Sequence, residues 1–104
     1  MLFRSPSSAE APPHVPTART TILNSLGLHA RPAMAFVDMA NAYASAVSVR
    51  RTDGDEVVDG KSIMQMLLLA ATQGTELEIT CDGADAERAL ATLLRMVESK
   101  FDEE

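Results

Sequence analysis

Residues 75–81 carry the clearest pattern in the chain, because apolar Leu77, Ile79 and Cys81 alternate with polar residues. Alternation with a period of two predicts a strand that buries one face and exposes the other. A helical pattern follows almost at once, and its apolar residues are spaced three and four apart: Ala86, Ala89, Leu90, Leu93, Val97 and Phe101. A half-buried strand followed by a one-sided helix predicts a domain with one layer of sheet and one layer of helices.

The N-terminal part of the chain changes character near residue 16. Residues 1–16 are predicted to form a flexible tail, because prolines and serines interrupt every periodic pattern there. β-Branched residues then predict a strand over Thr17–Asn24. A helix is expected from about Ala30 to Asn41 or Tyr43. Its apolar face has four residues at helical spacing, which are Ala33, Phe36, Val37 and Ala40.

Two strands in the middle of the chain are predicted to form a hairpin. Alternating valines predict a strand over Ala46–Arg51, and a short return strand is expected over Glu56–Asp59. Asp53-Gly54 between them is typical of a hairpin turn. With a second helix beginning within Gly60–Gln65, the predicted order is βαββαβα. We therefore expect residues 17–104 to form an α+β, two-layer open-faced sandwich, with three helices on one face of a four-stranded antiparallel sheet.

Charge and composition exclude several classes of function. Nine basic and fifteen acidic residues give a net charge of −6, whereas nucleic-acid binding needs a basic face. No apolar run is long enough for a membrane span. Cys81 is the only cysteine, so no intramolecular disulfide forms, which is typical of a reducing cytoplasm. Its place in the strand pattern indicates a small buried side chain. The two histidines are His14, expected to be solvated in the tail, and His29, so no metal site is predicted.

The segment Gly27-Leu28-His29-Ala30-Arg31-Pro32 suits the binding of an anion. Proline is favoured in the first turn of a helix, so His29 is expected at or just before a helix N-terminus. Backbone N–H groups and the helix dipole favour an anion there, and Arg31 can bind a phosphate with two hydrogen bonds. The same field favours a neutral, nucleophilic imidazole. We predict that His29 accepts and donates a phosphoryl group; the alternative is an ordinary capping or surface histidine.

The second helix is predicted to begin at a capping box formed by Ser62 and Gln65, and to end at the cap Gly74. Its apolar residues surround it on every side. One side is expected to enter the core, through Met66, Leu69 and Ala70. The other side would be partly exposed as a surface for a partner, through Ile63, Met64 and Leu67. The alternative is a core helix without a partner. We expect both helix starts at one end of the sheet, which would place this surface close to His29.

Two motifs together resemble the HPr family, the histidine-containing phosphocarriers of the phosphoenolpyruvate–sugar phosphotransferase system. Gly27-Leu28-His29-Ala30-Arg31-Pro32-Ala33 is similar to the active-site signature of the family, and Gly60-Lys61-Ser62-Ile63-Met64 is similar to its second motif. Gln73-Gly74 before the last strand also matches. The resemblance covers residue 17 onward. Leu26 departs from the pattern, since many members of the family have a polar residue there.

The resemblance implies roles for the residues of both motifs. His29 would carry the phosphoryl group on Nδ1, and Arg31 would stabilise it. Ser62 matches a serine that a regulatory kinase, the HPr kinase/phosphorylase, modifies in some bacteria. The residues that match the docking surface for enzyme I and enzyme IIA domains are Ile63, Met64 and Leu67.

Three functions are compatible with these residues. The first is a cytoplasmic, monomeric phosphocarrier that needs no cofactor and is one component of a relay rather than a stand-alone enzyme. The second is a regulatory HPr-like protein of a nitrogen-type or truncated phosphotransferase system, which acts by binding that depends on its phosphorylation. The third is a small binding module in which His29 is structural.

Overall fold

The computed structural model describes residues 15–102. In chain order, its elements are strand β1 Thr17–Thr21, helix α1 Ala30–Asn41, strand β2 Ala46–Arg51, strand β3 Val57–Asp59, helix α2 Ile63–Leu68, strand β4 Glu76–Asp82, helix α3 Ala86–Glu98 and a 3₁₀ turn Lys100–Asp102. The predicted order of elements is confirmed. The predicted tail, including His14, lies outside the described residues apart from Val15 and Pro16, so its flexibility stays a prediction.

The four strands form one antiparallel sheet in the order β1-β4-β2-β3. One face of the sheet packs against the helices through buried side chains, among them Val47, Val49, Leu77, Ile79 and Cys81. The other face is polar, and on it Glu78 pairs with Arg50 at 3.0 Å and with Arg19 at 3.5 Å. A sheet with one buried and one polar face confirms the predicted α+β open-faced sandwich.

The helices α1 and α3 bury the faces that their spacing predicts. All four expected residues of α1 are buried, and so are all six residues of the stripe that begins at Ala86. The last of these, Phe101, lies beyond the end of α3 in the 3₁₀ turn, where the backbone takes positive φ values. No helix within residues 15–102 is long and apolar enough to cross a membrane.

The end of α2 differs from the prediction. The helix stops at Leu68, and Ala70 is exposed in a left-handed conformation with φ of 50° rather than in the core. Met66 and Leu69 are buried as expected, and Ala71 occupies the place predicted for Ala70. Gly74 is not the helix cap. It turns the chain toward β4, and its N–H donates to the carbonyl of Ile22 at 2.8 Å.

The helices α1 and α2 run in opposite directions. At one end, the Asn41 side chain donates to the carbonyl of Lys61, just before α2. At the other end, the Leu28 N–H donates to the carbonyl of Ala71, just after α2. The expectation that both helix starts lie at one end of the sheet is therefore wrong. The start of α2 lies beside the end of α1, and the segment after α2 contacts the loop that carries His29.

Candidate functional site

His29 is the N-cap of α1, as predicted. Its backbone is extended, with φ of −86° and ψ of −169°, and its side chain does not cap the helix. Its carbonyl accepts a hydrogen bond from Ala33 N at 3.0 Å, which begins the helical ladder. The first N–H groups of a helix lack partners within the helix, and the positive end of the helix dipole lies there. The half-buried imidazole of His29 is thus placed where an anion is favoured.

The loop before His29 is fixed by close packing against the segment after α2. Gly27 has φ of 72°, and a Cβ atom there would lie 2.6 Å from the carbonyl oxygen of Ala71. Glycine is therefore required for both its conformation and its size. Leu28 is buried, and its N–H donates to the same oxygen at 2.8 Å. The side chain of Asn24 donates to the carbonyl of Gly27 at 2.6 Å. These contacts determine where His29 begins the helix.

Arg31 and Pro32 occupy the first turn of α1 in different environments. Pro32 is buried and leaves no N–H unsatisfied at a position where the helix offers no partner. Arg31 is exposed, and the first turn contains no acidic residue that could compete for its guanidinium. A guanidinium beside a helix N-terminus can form charge-assisted hydrogen bonds to a phosphate.

Ser62 is the N-cap of α2, as predicted, and its hydroxyl accepts a hydrogen bond from Gln65 N at 3.2 Å. The second half of the predicted capping box is different, because the Gln65 side chain accepts from Asp59 N at 2.9 Å instead of from Ser62. Since α1 and α2 are antiparallel, Ser62 and His29 lie toward opposite ends of α1. Twelve residues of helix span roughly 18 Å.

The exposed side of α2 includes the predicted apolar residues and one that the prediction missed. Met64 is 75% exposed and Leu67 is also exposed, whereas Ile63 is half-buried and packs against the core. Leu68 is 69% exposed. We call Met64, Leu67 and Leu68 the α2 patch. The prediction missed Leu68 because it continued α2 to Gly74. The helix ends at Leu68, and this last residue lies outside the core.

Two further exposed apolar side chains belong to segments that contact the residues just before or just after α2. Met34 lies seven residues, or two turns, before Asn41, which contacts Lys61 next to α2. Met34 is therefore on the flank of α1 that faces α2, and it is exposed. Leu26, in the loop that packs against Ala71, is 74% exposed. Exposed apolar residues therefore lie on α1 and on the His29 loop as well as on α2.

Residues 15–102 offer little for metal binding or for thiol chemistry. They contain no cluster of His, Cys, Asp and Glu side chains that could hold a metal ion. Cys81 is fully buried, as predicted, and its burial raises the pKa of its thiol. A buried thiol of this kind is not a nucleophile at neutral pH.

Comparison with known proteins agrees with this geometry. The family described as "PTS HPr component phosphorylation site" matches residues 16–99. Over 89 residues the chain is 43% identical to the phosphocarrier protein HPr of Pseudomonas aeruginosa, covering 86% of this chain and 98% of that protein. It is 38% identical over 86 residues to the phosphocarrier protein NPr of Proteus mirabilis, covering 83% of this chain and 94% of that protein.

The fold also has close structural relatives. A crystal structure of HPr-C-His from Thermoanaerobacter tengcongensis superimposes with a TM-score of 0.80 at 37% identity, covering 86% of this chain and 98% of that one. The similarity therefore includes both helix-start motifs and every element of the sandwich. The chain belongs to the HPr family of phosphocarrier proteins of the phosphotransferase system.

Proposed function

We propose that His29 accepts a phosphoryl group from phospho-enzyme I and passes it to an enzyme IIA-type acceptor. The observation that carries this proposal is the position of His29 as the N-cap residue of a 12-residue helix. Its imidazole makes no capping hydrogen bond to the first turn of that helix. A phosphate on Nδ1 would be stabilised by the dipole of α1 and by Arg31. The carrier would act as a monomer and without a cofactor.

The two directions of transfer place opposite demands on this site. The phosphohistidine must be stable enough to form when the donor gives up its phosphoryl group. It must also be reactive enough to pass that group to the next acceptor. One helix terminus and one exposed arginine supply moderate stabilisation, because both are screened by water. We propose that this partial exposure allows the phosphoryl group to be handed on.

The α2 patch, together with Ile63, is the proposed docking surface for both partners. Exposed apolar side chains around a reactive group provide the buried core of a transient interface. Leu67 and Leu68 lie at the end of α2 nearest the His29 loop. A partner that reaches His29 would therefore bury these two side chains. Met64 would extend the interface away from His29.

Ser62 is proposed as a regulatory phosphorylation site, which would require a serine kinase of the HPr kinase/phosphorylase type. A phosphate at this helix start would be electrostatically tolerated by α2. Its effect would fall on docking, because it would add about two negative charges at the end of α2 that carries Met64, whose apolar side chain loses water when a partner binds.

A second candidate function is a regulatory carrier of a nitrogen-type system. It is favoured by the 38% identity to a protein named NPr. His29 would have the same chemistry in both cases, so the two functions differ only in the acceptor. Transfer from the phosphorylated protein to sugar-specific and to nitrogen-type IIA proteins would separate them.

Labelling with radioactive phosphoenolpyruvate and enzyme I tests the main proposal. The wild type should acquire an acid-labile phosphate, His29→Ala should acquire none, and His14→Ala should be labelled like the wild type. Full labelling of His29→Ala would contradict the proposal. Absence of label in the wild type would leave the binding-module function, with a structural His29.

A further inference from the structure

The guanidinium of Arg51, the last residue of β2, connects the hairpin to the end of α2. Its Nε and one terminal nitrogen each donate to the carboxylate of Asp53 at 2.9 Å, which is a bidentate pair. Its other terminal nitrogen donates to the carbonyls of Leu69 at 3.1 Å and Ala70 at 3.2 Å. Four hydrogen bonds therefore determine the orientation of one planar side chain.

These two carbonyls belong to the segment that ends α2. The last carbonyls of a helix have no partner within it, and a cation there is favourable. Leu69 is the C-cap of α2, and Ala70 takes a left-handed conformation, which non-glycine residues rarely adopt. Arg51 supplies the hydrogen bonds that accompany this conformation. These bonds lie where the chain leaves α2.

The next residue, Ala71, contacts the His29 loop. Its carbonyl accepts the N–H of Leu28 at 2.8 Å, and Gly27 packs against the same oxygen. A continuous series of contacts thus leads from Asp53 through Arg51 and the 69–71 segment to the residue before His29.

We propose that Arg51, oriented by Asp53, is a positioning residue for phosphoryl transfer: it fixes the 69–71 segment, which in turn fixes the loop that places His29 at the start of α1. The inference rests on the proposed function, since it concerns transfer through His29. Arg51 does not touch the phosphate. It restricts the geometry from which His29 reacts.

Three variants test this role. Arg51→Met keeps the apolar stem and removes every donor, and Asp53→Asn keeps the shape but removes the charge that orients Arg51. Arg19→Met is the matched control, because Arg19 pairs with Glu78 on the opposite, polar face of the sheet. Thermal melting of each protein establishes that it is folded.

Two measurements separate positioning from docking. Hydrogen exchange of the Leu28 amide should be faster in Arg51→Met, and less so in Asp53→Asn, than in the wild type. Steady-state phosphorylation by enzyme I should show kcat lowered by about tenfold to a hundredfold in Arg51→Met, with KM nearly unchanged. Arg19→Met should resemble the wild type in both measurements.

Each alternative result has a definite meaning. A raised KM with unchanged kcat would assign Arg51 to docking and overturn the inference, and so would wild-type exchange of the Leu28 amide in a folded Arg51→Met protein. If Arg51→Met fails to fold, Asp53→Asn decides by the same criteria. An unlabelled wild type would instead refute the proposed function, whereas the exchange of Leu28 would still report on the loop.

Discussion

The carboxylate of Asp85 accepts hydrogen bonds from both the backbone N–H and the hydroxyl of Ser45, at 3.0 and 2.5 Å. Ala44 N donates to the same carboxylate at 2.9 Å. Asp85 is the N-cap of α3, yet its side chain does not cap that helix. It joins the loop between α1 and β2 to the start of α3 instead. These bonds, first from the Ser45 hydroxyl and then from Ala44, lower the pKa of Asp85 from 3.8 to about 2.

Acid should remove the stabilisation that Asp85 supplies. Because its pKa is lower in the folded state than in the unfolded state, the contribution is complete above about pH 4 and is lost as the pH falls toward about 2. We expect Asp85→Asn to melt below the wild type at pH 7, and the difference to shrink between pH 4 and pH 2. Asp82→Asn, an exposed neighbour, should show no such change. A difference that is constant with pH would contradict this assignment.

Ala70→Gly should stabilise the protein. Ala70 is exposed and has φ of 50°, a conformation that costs an L-residue roughly 1–2 kcal/mol but costs glycine little. Greater freedom of glycine in the unfolded chain offsets part of this gain. We therefore expect a net rise of about 0.5–1 kcal/mol in the free energy of unfolding, measured with urea. Ala91→Gly, at an exposed position within α3, should lower it by about 1 kcal/mol.

Arg31→Ala should slow phosphoryl transfer and leave stability almost unchanged. The guanidinium is exposed, so folding loses little, whereas a charge-assisted bond to phosphate contributes about 1.5–3 kcal/mol. Transfer should fall by roughly one to two orders of magnitude. The measurements are single-turnover transfer and thermal melting. Arg88→Ala, which alters an exposed arginine in the first turn of α3, is the control, and an equal effect in both variants would refute a specific role.

Met64→Glu should weaken binding to enzyme I without unfolding the domain. Met64 is 75% exposed, so the charge is solvated in the free protein and loses water only in the complex. Titration calorimetry should show a dissociation constant at least about tenfold higher, equal to about 1.4 kcal/mol. Val57→Glu adds the same charge at an exposed position in β3 and should bind normally. Loss of the circular dichroism spectrum in Met64→Glu would indicate a core role.

Ser62→Asp should keep the fold and reduce transfer from enzyme I to His29. Aspartate is as good an N-cap as serine, so α2 should remain capped. The added charge lies at the end of α2 that carries Met64 and toward the other end of α1 from His29, so we expect KM to rise more than kcat falls. Ser62→Ala should lose about 1 kcal/mol of stability yet transfer normally. Equal transfer by Ser62→Asp and the wild type would leave Ser62 with the capping role alone.

Short-range patterns were sufficient to predict most elements and the placement of His29. The start of α1 follows from local chemistry, since proline prefers the first turn and Gly27 supplies a positive φ. The buried faces of α1, β4 and α3 follow from periodicity, because each is wide enough to define one side of its element. The cap at Ser62 is likewise a local interaction between residues three apart.

Only the tertiary structure decided how these elements meet. The opposite directions of α1 and α2, which separate Ser62 from His29, depend on contacts such as Asn41 with Lys61, between residues twenty positions apart. At the turn that contains Ala70, the carbonyls of Leu69 and Ala70 accept hydrogen bonds from Arg51, which is eighteen to nineteen positions away. Such contacts produce no periodic pattern in the sequence. One polar side chain can reach many backbone groups, and the packing of the elements decides which of them it contacts. The sequence therefore determined that His29 begins a helix, whereas the tertiary structure determined which surfaces surround it.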